Sequence, residues 1–582
     1  MTLDPTQLLC LADEMAAYRE LLAALSESGE SARAAVLDAT KPYLIAALYR
    51  RLERPLFIIT AQPEDARSLR DQLSIWCGGT EPELFPEPDV LPYQRITADT
   101  ATGLERLRIL SALTGANGAP AGPLVIISAP TLIQKTASCR DFTGPSHTIE
   151  AGQETEPTSL LRRWEAMGYQ PENLVETPGT ISHRGGIIDI YPPSQELPVR
   201  LEFYGNTVES IRRFDPATQR SQATLARVFI TPATELLRPL LDSPAELAQT
   251  LQKINLKSCH KEVKEQFQQD FARLTERQKP DSIQLYAPLF NHDCILSYLP
   301  PETLIIVNEP QSLKAAIADL ETKARELRAE KLSRRELPDN FPVPYLGWKE
   351  IEAELKTRKQ LSLAAWDATP DRKPPRLNFT PAPGYAGQLT AFIRKAKQLL
   401  SQQDRLIIIS QQAQRLSELL DEADIIAPPL TEIREPPRPG SLTLLQGSLA
   451  RGWIMNRDTH LFTDYEIFGF TKERRAAKKH PVARQKLLAE LTPGDYVVHV
   501  EHGIARFTGV TTLNVNNTRK EYLVLGRKAA AALRGALAVS CEDVRQLAGP
   551  VLRHRIIPSF AAEAEGITPD RIISRLLDDV EE

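Results

Sequence analysis

The sequence contains 582 residues, of which 42% are hydrophobic and 25% charged. This composition is typical of globular proteins, and one core rarely organises so long a chain, so we expect roughly three to five domains. The net charge of −5 excludes a general attraction to nucleic acid, and the six scattered cysteines form no CxxC zinc motif and suggest no disulfide framework. The chain has no signal-like N-terminus and no apolar run near the length of a membrane span. We therefore expect a cytoplasmic protein with no cofactor, no metal site and no membrane contact.

Residues 1–142 show the succession of buried strands and helices that is typical of an α/β domain. Two apolar runs, Leu56–Thr60 and Leu124–Ser128, have the composition of strands in a parallel sheet, and a helical pattern follows the first over residues 63–75. A phosphate-binding P-loop needs glycines and a Gly-Lys pair, but residues 36–43 contain no glycine and the sequence contains no Gly-Lys pair. We therefore predict that this domain binds no nucleotide and that Lys41 is a surface residue.

The segment 177–220 is predicted to form a small antiparallel sheet. Its strand patterns, at residues 187–191, Val199–Tyr204 and Thr207–Phe214, are rich in β-branched and aromatic residues, and Gly205 begins a turn between the last two. The sheet would expose more charge than a core requires, from Arg184, Arg200, Glu202, Arg212 and Arg213. Taken singly, each arginine is most simply interpreted as part of a solvated face.

The order of motifs in this segment resembles the UvrA-binding module that the excision-repair protein UvrB shares with the bacterial transcription-repair coupling factor family. The matching motifs are HRGGIIDIYP at residues 183–192, PVRLEF at 198–203 and VESIRRFD at 208–215. The resemblance implies that residues 143–232 form this module and that Arg184, Arg200 and Tyr204 contact UvrA. Arginine forks and a rigid aromatic side chain suit such an interface.

The resemblance extends to the first domain, which looks like a UvrB-like motor domain that has lost its P-loop. It implies that residues 233–330 complete this domain after the inserted module. Residues 331–342 are charged and contain prolines, so we predict a linker. Residues 343–470 are predicted to form a small α/β domain, in which the acidic run at 420–424 ends an amphipathic helix and does not bind magnesium.

Residues 471–490 are predicted to form a basic linker. Its cationic side chains are candidates for contact with DNA phosphates: Lys472, Arg474, Arg475, Lys478 and Lys479. The segment lacks the interleaved aromatic residues that stack on bases, so a solvated linker is the alternative interpretation.

Residues 491–525 contain a second distinctive motif, PGDYVVHVEHGIARF at 493–507, followed by TTL at 511–513 and EYLVL at 521–525. It resembles the RNA-polymerase-interacting domain shared by the coupling factor and CarD-like regulators. The resemblance implies a small β-barrel in which Thr512 and Leu513 dock on the RNA polymerase β subunit, a contact that main-chain pairing at a strand edge would support. Two histidines, His499 and His502, lack a third ligand, so no zinc site is expected.

From Gly526 the sequence becomes rich in alanine and is predicted to form a helical tail over residues 526–582. Residues 552–580 resemble the lid end of a MoxR-type AAA+ ATPase. We therefore expect a partial, truncated barrel and no helicase motor after it.

Together these patterns predict a multidomain α/β protein that links stalled RNA polymerase to UvrA in transcription-coupled nucleotide-excision repair and is not itself an enzyme. Two alternatives remain open. One is a CarD-like transcription regulator that binds RNA polymerase, and the other is a non-functional chimera joined at residues 525 and 526.

Overall fold

The computed structural model describes residues 3–27, 31–87, 93–95, 100–114, 122–278, 280, 282–365, 377–469, 496–499, 503–515 and 518–526. The chain separates into two compact units, Met1–Ala476 and Ala477–Glu582. Sheets and helices are mixed in the first unit, as predicted for a multidomain α/β protein.

The regular elements are named in chain order. The strands are β1 (Ala32–Ala35), β2 (Leu56–Thr60), β3 (Glu83–Leu84), β4 (Leu124–Ser128), β5 (His147–Glu150), β6 (Gln170–Pro171), β7 (Thr180–Arg184), β8 (Ile187–Ile190), β9 (Val199–Tyr204), β10 (Thr207–Phe214), β11 (Ser221–Leu225), β12 (Arg227–Ile230), β13 (Leu304–Asn308), β14 (Gln360–Ala364), β15 (Phe379–Pro381), β16 (Arg405–Ser410), β17 (Pro429–Leu430), β18 (Leu442–Gln446), β19 (Trp453–Met455), β20 (Thr459–Thr463), β21 (Tyr496–His499), β22 (Gly503–Val515) and β23 (Thr518–Gly526). The α-helices are α1 (Ala16–Glu27), α2 (Lys41–Leu52), α3 (Pro63–Trp76), α4 (Thr100–Leu113), α5 (Ala129–Leu132), α6 (Cys139–Thr143), α7 (Pro157–Ala166), α8 (Arg238–Leu241), α9 (Pro244–Gln252), α10 (Lys261–Thr275), α11 (Ala287–Phe290), α12 (Pro310–Ser333), α13 (Trp348–Lys356), α14 (Leu389–Ser401), α15 (Ala413–Asp421) and α16 (Asp464–Phe468).

The first sheet is parallel and has the strand order β1-β14-β13-β2-β4-β3. Every residue of β2 and β4 is buried, because helices cover both faces of the sheet and an apolar side chain is needed on each. Ile58 packs into the cluster on one face and Ile59 into the cluster on the other. These two strands have the bounds that the apolar runs predicted.

The first sheet is completed by a strand that the sequence analysis assigned to the next domain. Strand β14 lies between β1 and β13, and Leu361 and Leu363 are fully buried there. The structure therefore differs from the predicted boundary at residue 343, since the chain returns to the first sheet before the next domain begins.

The predicted linker at residues 331–342 also has a different structure. It starts inside the last turn of α12, and its Leu337 and Phe341 are buried against Phe267 and Tyr93 in a helical cluster. Its charged residues are exposed or, for the ion-paired Lys331 and Glu336, half-buried, and their abundance gave no sign that Leu337 and Phe341 belong to a core.

The module between β4 and β13 has its own six-stranded sheet, in the order β11-β10-β9-β8-β7-β6, and a β12–β5 pair. Strands β7 to β11 are antiparallel, and β9 and β10 form the predicted hairpin with the predicted bounds. Helix α7 covers one face and inserts Trp164, which is fully buried among Ile181, Ile188 and Leu201.

A third sheet has the order β15-β19-β20-β16-β18-β17 and is parallel except at β15 and β19. The acidic run at residues 420–424 begins in the last turn of α15, as predicted, and both Asp421 and Glu422 are exposed. One face of this sheet shares a core with α2, where Tyr43, Trp76, Phe379 and Trp453 pack edge to face or tilted, with ring centroids 4.9–6.0 Å apart.

In the second unit, the described residues form a three-stranded antiparallel sheet in the order β21-β22-β23. Its strands coincide with the motif predicted at residues 493–525. The predicted helical tail lies outside the residues that the structure describes.

Candidate functional site

The inserted module carries a charged surface on the face of its sheet opposite α7. Along each strand the residues alternate, so that Ile188, Ile190, Val199 and Leu201 face the buried core under α7. The residues between them lie on the other face, and they include the charged pair Asp189 and Arg200, which are opposite each other in the β8–β9 ladder. We call this face, with Arg184, Asp189, Arg200, Glu202 and Arg212, the charged face.

Two arginines of the charged face share one buried carboxylate. The Asp189 side chain is 1% exposed, and its Oδ1 accepts a hydrogen bond of 2.7 Å from Arg200 Nε. Its Oδ2 accepts from Arg200 Nη2 at 2.9 Å and from Arg184 Nη2 at 3.0 Å. The carboxylate therefore holds one guanidinium by two parallel bonds and the other by one, a charge-assisted arrangement with defined geometry.

The Arg200 guanidinium packs over a buried aromatic ring. Its Cζ lies 4.7 Å from the centroid of the Phe214 ring, which is fully buried. The hydrogen bonds to Asp189 raise the pKa of Arg200 above its usual value. The Arg200 side chain is only 16% exposed, whereas the Arg184 side chain is 49% exposed. Arg200 is thus largely a framework residue with one outward edge, and Arg184 is open to solvent.

Two tight turns lie side by side at one end of the charged face. Gly185 and Gly205 both have a φ of +61°, which side chains rarely adopt. The Phe203 N–H donates to the Gly186 carbonyl at 2.7 Å, and a Cβ on Gly186 would lie 2.9 Å from the Phe203 oxygen. The glycines therefore permit the two hairpin ends to approach each other.

Tyr204 stands at this end and is 82% exposed, an unusual environment for a large aromatic side chain. The three residues that the resemblance implies thus lie on one face of a single sheet, with Arg184 and Tyr204 beside the two turns and Arg200 near the other end of β9. Sequence reasoning missed Asp189 as a member of the site. The signal was a carboxylate between isoleucines in a buried strand, since an acid in that position requires a partner.

Lys41 is not the surface residue that the sequence analysis predicted. It is 5% exposed, and its Nζ lies 2.6 Å from Asp38 Oδ1 and 2.6 Å from Glu309 Oε1. Glu309 also accepts a hydrogen bond of 2.7 Å from the Ala365 N–H. The prediction was wrong because two carboxylates, one of them far away in the sequence, offset the cost of removing the ammonium group from water.

In the second unit, Thr512 and Leu513 lie in the long strand β22. Their ladder partners in β23 are Glu521 and Lys520, while β21 pairs with β22 only between Gly503 and Arg506. Within the described residues, the other edge of β22 is therefore unpaired around Thr512. The basic linker with Lys472, Arg474, Arg475, Lys478 and Lys479 lies outside the described residues.

The described part of the chain contains neither a metal-binding cluster nor a membrane-spanning helix. In that part, no group of three or more His, Cys, Asp or Glu side chains is placed to hold a metal ion. None of its helices is both long and apolar enough to span a bilayer.

Comparison with protein families identifies three matching domains. Residues 148–236 match the UvrB interaction domain, which is the module that carries the charged face. Residues 491–537 match the CarD-like/TRCF RID domain, and residues 520–576 match the AAA lid domain. The chain thus combines a match to the UvrB interaction domain with a match to the CarD-like/TRCF RID domain.

Curated relatives agree with this combination. The chain is 26% identical to the transcription-repair-coupling factor of Bacillus subtilis over 522 residues, and 27% identical to that of Myxococcus xanthus over 530 residues. These alignments cover 87% and 84% of this chain and 43% of each relative. The chain therefore spans less than half the length of these relatives, and the predicted resemblance to the N-terminal portion of coupling factors is confirmed.

Proposed function

We propose that this chain connects RNA polymerase to UvrA in transcription-coupled nucleotide-excision repair. The observation that carries the proposal is the charged face, because it lies within a UvrB interaction domain on a chain that also matches an RNA-polymerase-interacting domain.

On the UvrA side, we infer that the partner contacts Arg184, Arg200 and Tyr204. Tyr204 offers a large, rigid surface with little entropy to lose on binding, and the arginines offer N–H groups that fit carboxylates. These three side chains project from the same face of the sheet, so one partner can reach them from one direction.

The test is retention of purified UvrA on the immobilised full-length chain. Replacing both arginines (Arg184→Ala plus Arg200→Ala) should weaken binding by about 3 kcal/mol or more, because two charge-assisted contacts are lost. The matched control is Arg162→Ala plus Arg163→Ala on α7, which covers the opposite face of the sheet. Equal retention by the native chain and the Arg184/Arg200 variant would refute the assignment.

On the polymerase side, we infer that the unpaired edge of β22 around Thr512 and Leu513 pairs with a strand of the β subunit, as part of a small barrel. Main-chain hydrogen bonds at a free strand edge provide affinity for such a contact. The ladder of β22 with β23 leaves that edge available among the described residues.

The polymerase contact is tested by replacing Thr512 and Leu513 with aspartate and measuring binding of purified RNA polymerase. We expect loss of polymerase binding with UvrA binding unchanged, and the control Thr518→Asp, on the neighbouring strand β23 beside the turn, should bind normally. Polymerase binding by a native chain that never binds UvrA would instead favour a CarD-like transcription regulator.

We propose further that the first sheet holds no nucleotide. Lys41 begins helix α2 after strand β1, as the lysine of a P-loop begins a helix after a strand, and its ammonium group is already bound to Asp38 and Glu309. Fluorescent ATP analogues should therefore bind the native chain and the Lys41→Ala variant identically. A nucleotide affinity that falls with Lys41→Ala would overturn this proposal.

A further inference from the structure

We propose that Asp189 is a positioning residue of the charged face, whose carboxylate fixes Arg184 and Arg200 so that their remaining N–H groups meet the partner. The inference rests on the proposed binding of UvrA. Nothing in the domain match or in the names of the relatives assigns a role to this residue.

The first observation is geometric. Both Nη2 atoms, of Arg184 and of Arg200, hydrogen-bond to the same oxygen, Asp189 Oδ2, at 3.0 Å and 2.9 Å. Two guanidinium groups are thereby held side by side, although like charges at this distance repel each other. The shared carboxylate is what makes this arrangement favourable, and it removes one unit of positive charge from the pair.

The second observation concerns the N–H groups that remain. Arg184 uses only Nη2 towards Asp189, so its Nε and Nη1 are left for a partner on a side chain that is 49% exposed. Arg200 uses Nε and Nη2, and its Nη1 makes only a long contact of 3.5 Å to the Gln219 carbonyl. The partner chemistry that fits these donors is a carboxylate, which each guanidinium can bind through its free edge.

The third observation is burial. Asp189 is 1% exposed, so a partner cannot reach it and it cannot belong to the contact surface itself. The Phe214 ring lies beneath Arg200 and prevents that guanidinium from tilting inward. Asp189 therefore acts on a partner only through the orientation of the two arginines.

The experiment measures the affinity of the full-length chain for purified UvrA by calorimetry, for the native protein and for Asp189→Asn, Arg184→Ala and the double variant. Asparagine keeps the size of the side chain but loses the charge and one acceptor. We expect Asp189→Asn to weaken binding about tenfold, within the range of couplings between contacting residues. Arg184→Ala should weaken native binding by a similar factor, but add less than about twofold in the Asp189→Asn background.

The matched control is Asp215→Asn in the same module. The Asp215 carboxylate accepts hydrogen bonds within its own turn, including those from the Ala217 N–H at 2.9 Å and the Thr218 N–H at 2.8 Å. This variant should bind UvrA like the native chain. A purely structural role for Asp189 would lower the melting temperature and leave the effect of Arg184→Ala unchanged, so the double variant separates positioning from stability.

If Asp189→Asn fails to fold, Arg200→Lys provides the second measurement, since lysine keeps the charge but cannot make the two-bond contact with Asp189. The inference predicts that Arg200→Lys loses UvrA affinity nearly as fully as Arg200→Ala. Native affinity in Arg200→Lys, or in folded Asp189→Asn, would overturn the role of Asp189 while leaving the UvrA contact intact. A native chain that does not bind UvrA would overturn both proposals.

Discussion

The residues proposed to contact UvrA differ in how much each contributes to folding and how much to binding. Tyr204 is 82% exposed, so Tyr204→Ala should change the free energy of unfolding by less than about 0.5 kcal/mol. The same change should weaken UvrA binding by about 2 kcal/mol, as expected of an exposed aromatic at the centre of a contact. Denaturant unfolding and UvrA calorimetry on one preparation provide both values.

Unlike Tyr204→Ala, Arg200→Ala should lower the free energy of unfolding measurably, in addition to weakening UvrA binding. It leaves the buried Asp189 with Arg184 alone, and an undersatisfied buried carboxylate costs about 1–3 kcal/mol. Arg220→Ala, an exposed arginine of the neighbouring loop, should leave stability unchanged. Equal melting temperatures for Arg200→Ala and Tyr204→Ala would contradict this division.

His147 gives the module a dependence on pH. Trp164 Nε1 donates to His147 Nε2 at 3.2 Å, and His147 Nδ1 lies 3.0 Å from the Pro145 carbonyl, so neutral imidazole with its proton on Nδ1 satisfies both contacts. Burial lowers the pKa of His147 below its usual value. The folded protein then binds a proton less readily than the unfolded chain, whose histidine titrates near ~6.5. The stability is therefore present above about pH 6.5 and is lost as the pH falls below it.

The measurement is the melting temperature of the native chain and of His147→Gln between pH 7.5 and 5.5. We expect the melting temperature of the module to fall by about 4–8 °C more in the native chain than in the variant, the shift that ~1 kcal/mol makes in a domain of about 60–100 residues. The comparison with the variant is necessary because burial also lowers the pKa of His292 and His460. Identical pH profiles would rule out His147 as the source.

At this scale the sequence predicted part of the site. The residues that the resemblance implies lie on one face of the sheet, because strand alternation is a local property that the sequence records. The ion pairs of Asp189 and Lys41 were missed, since the partners Arg200 and Glu309 are brought near by the fold and no periodicity predicts such a pairing.

At the scale of elements, strands with strong apolar or alternating patterns were predicted within a residue or two. β9 and β10 have the predicted bounds, because a turn with glycine and two β-branched runs leave little freedom in register. β14 was assigned to the wrong domain. Its pattern fits the edge or the interior of any sheet, and only the three-dimensional arrangement decides which sheet it joins.

The position of β14 predicts the effect of a truncation. A fragment ending at residue 345 keeps the whole module but removes the strand between β1 and β13. Two strands then lose their neighbours, so the first sheet should unfold or aggregate while the module stays folded. A fragment ending at residue 469 is the control. Limited proteolysis should leave a resistant piece near residues 147–233 in the shorter fragment, and equal resistance of its first sheet would contradict the expectation.

For the molecule as a whole, the core shared by α2 and the third sheet should couple two domains. Trp453 is 1% exposed and touches the rings of Tyr43 and Phe379, so Trp453→Ala should cost about 3–5 kcal/mol. Because these rings belong to one core, amide hydrogen exchange should accelerate in both β2 and β16.

The control for this coupling is Phe392→Ala, in the cluster on the other face of the third sheet. It should accelerate exchange in β16 much more than in β2. If Trp453→Ala also accelerated exchange in β16 much more than in β2, the two domains would be energetically independent despite their contact.

The module is inserted between strands β4 and β13 of the first sheet. This insertion affects the order in which the two folding units leave the ribosome. The last strand of the module ends at Ile230, whereas the domain that contains the first sheet is complete only after β14, which ends at Ala364. About 130 further residues must be translated in between, which takes roughly 7–26 s at typical rates of synthesis. During that interval β2 and β4 have been made but β14 has not, and β13 is completed only after more than half of it. The nascent host domain therefore exposes apolar strands that a chaperone would recognise, while the finished module already exposes its arginines.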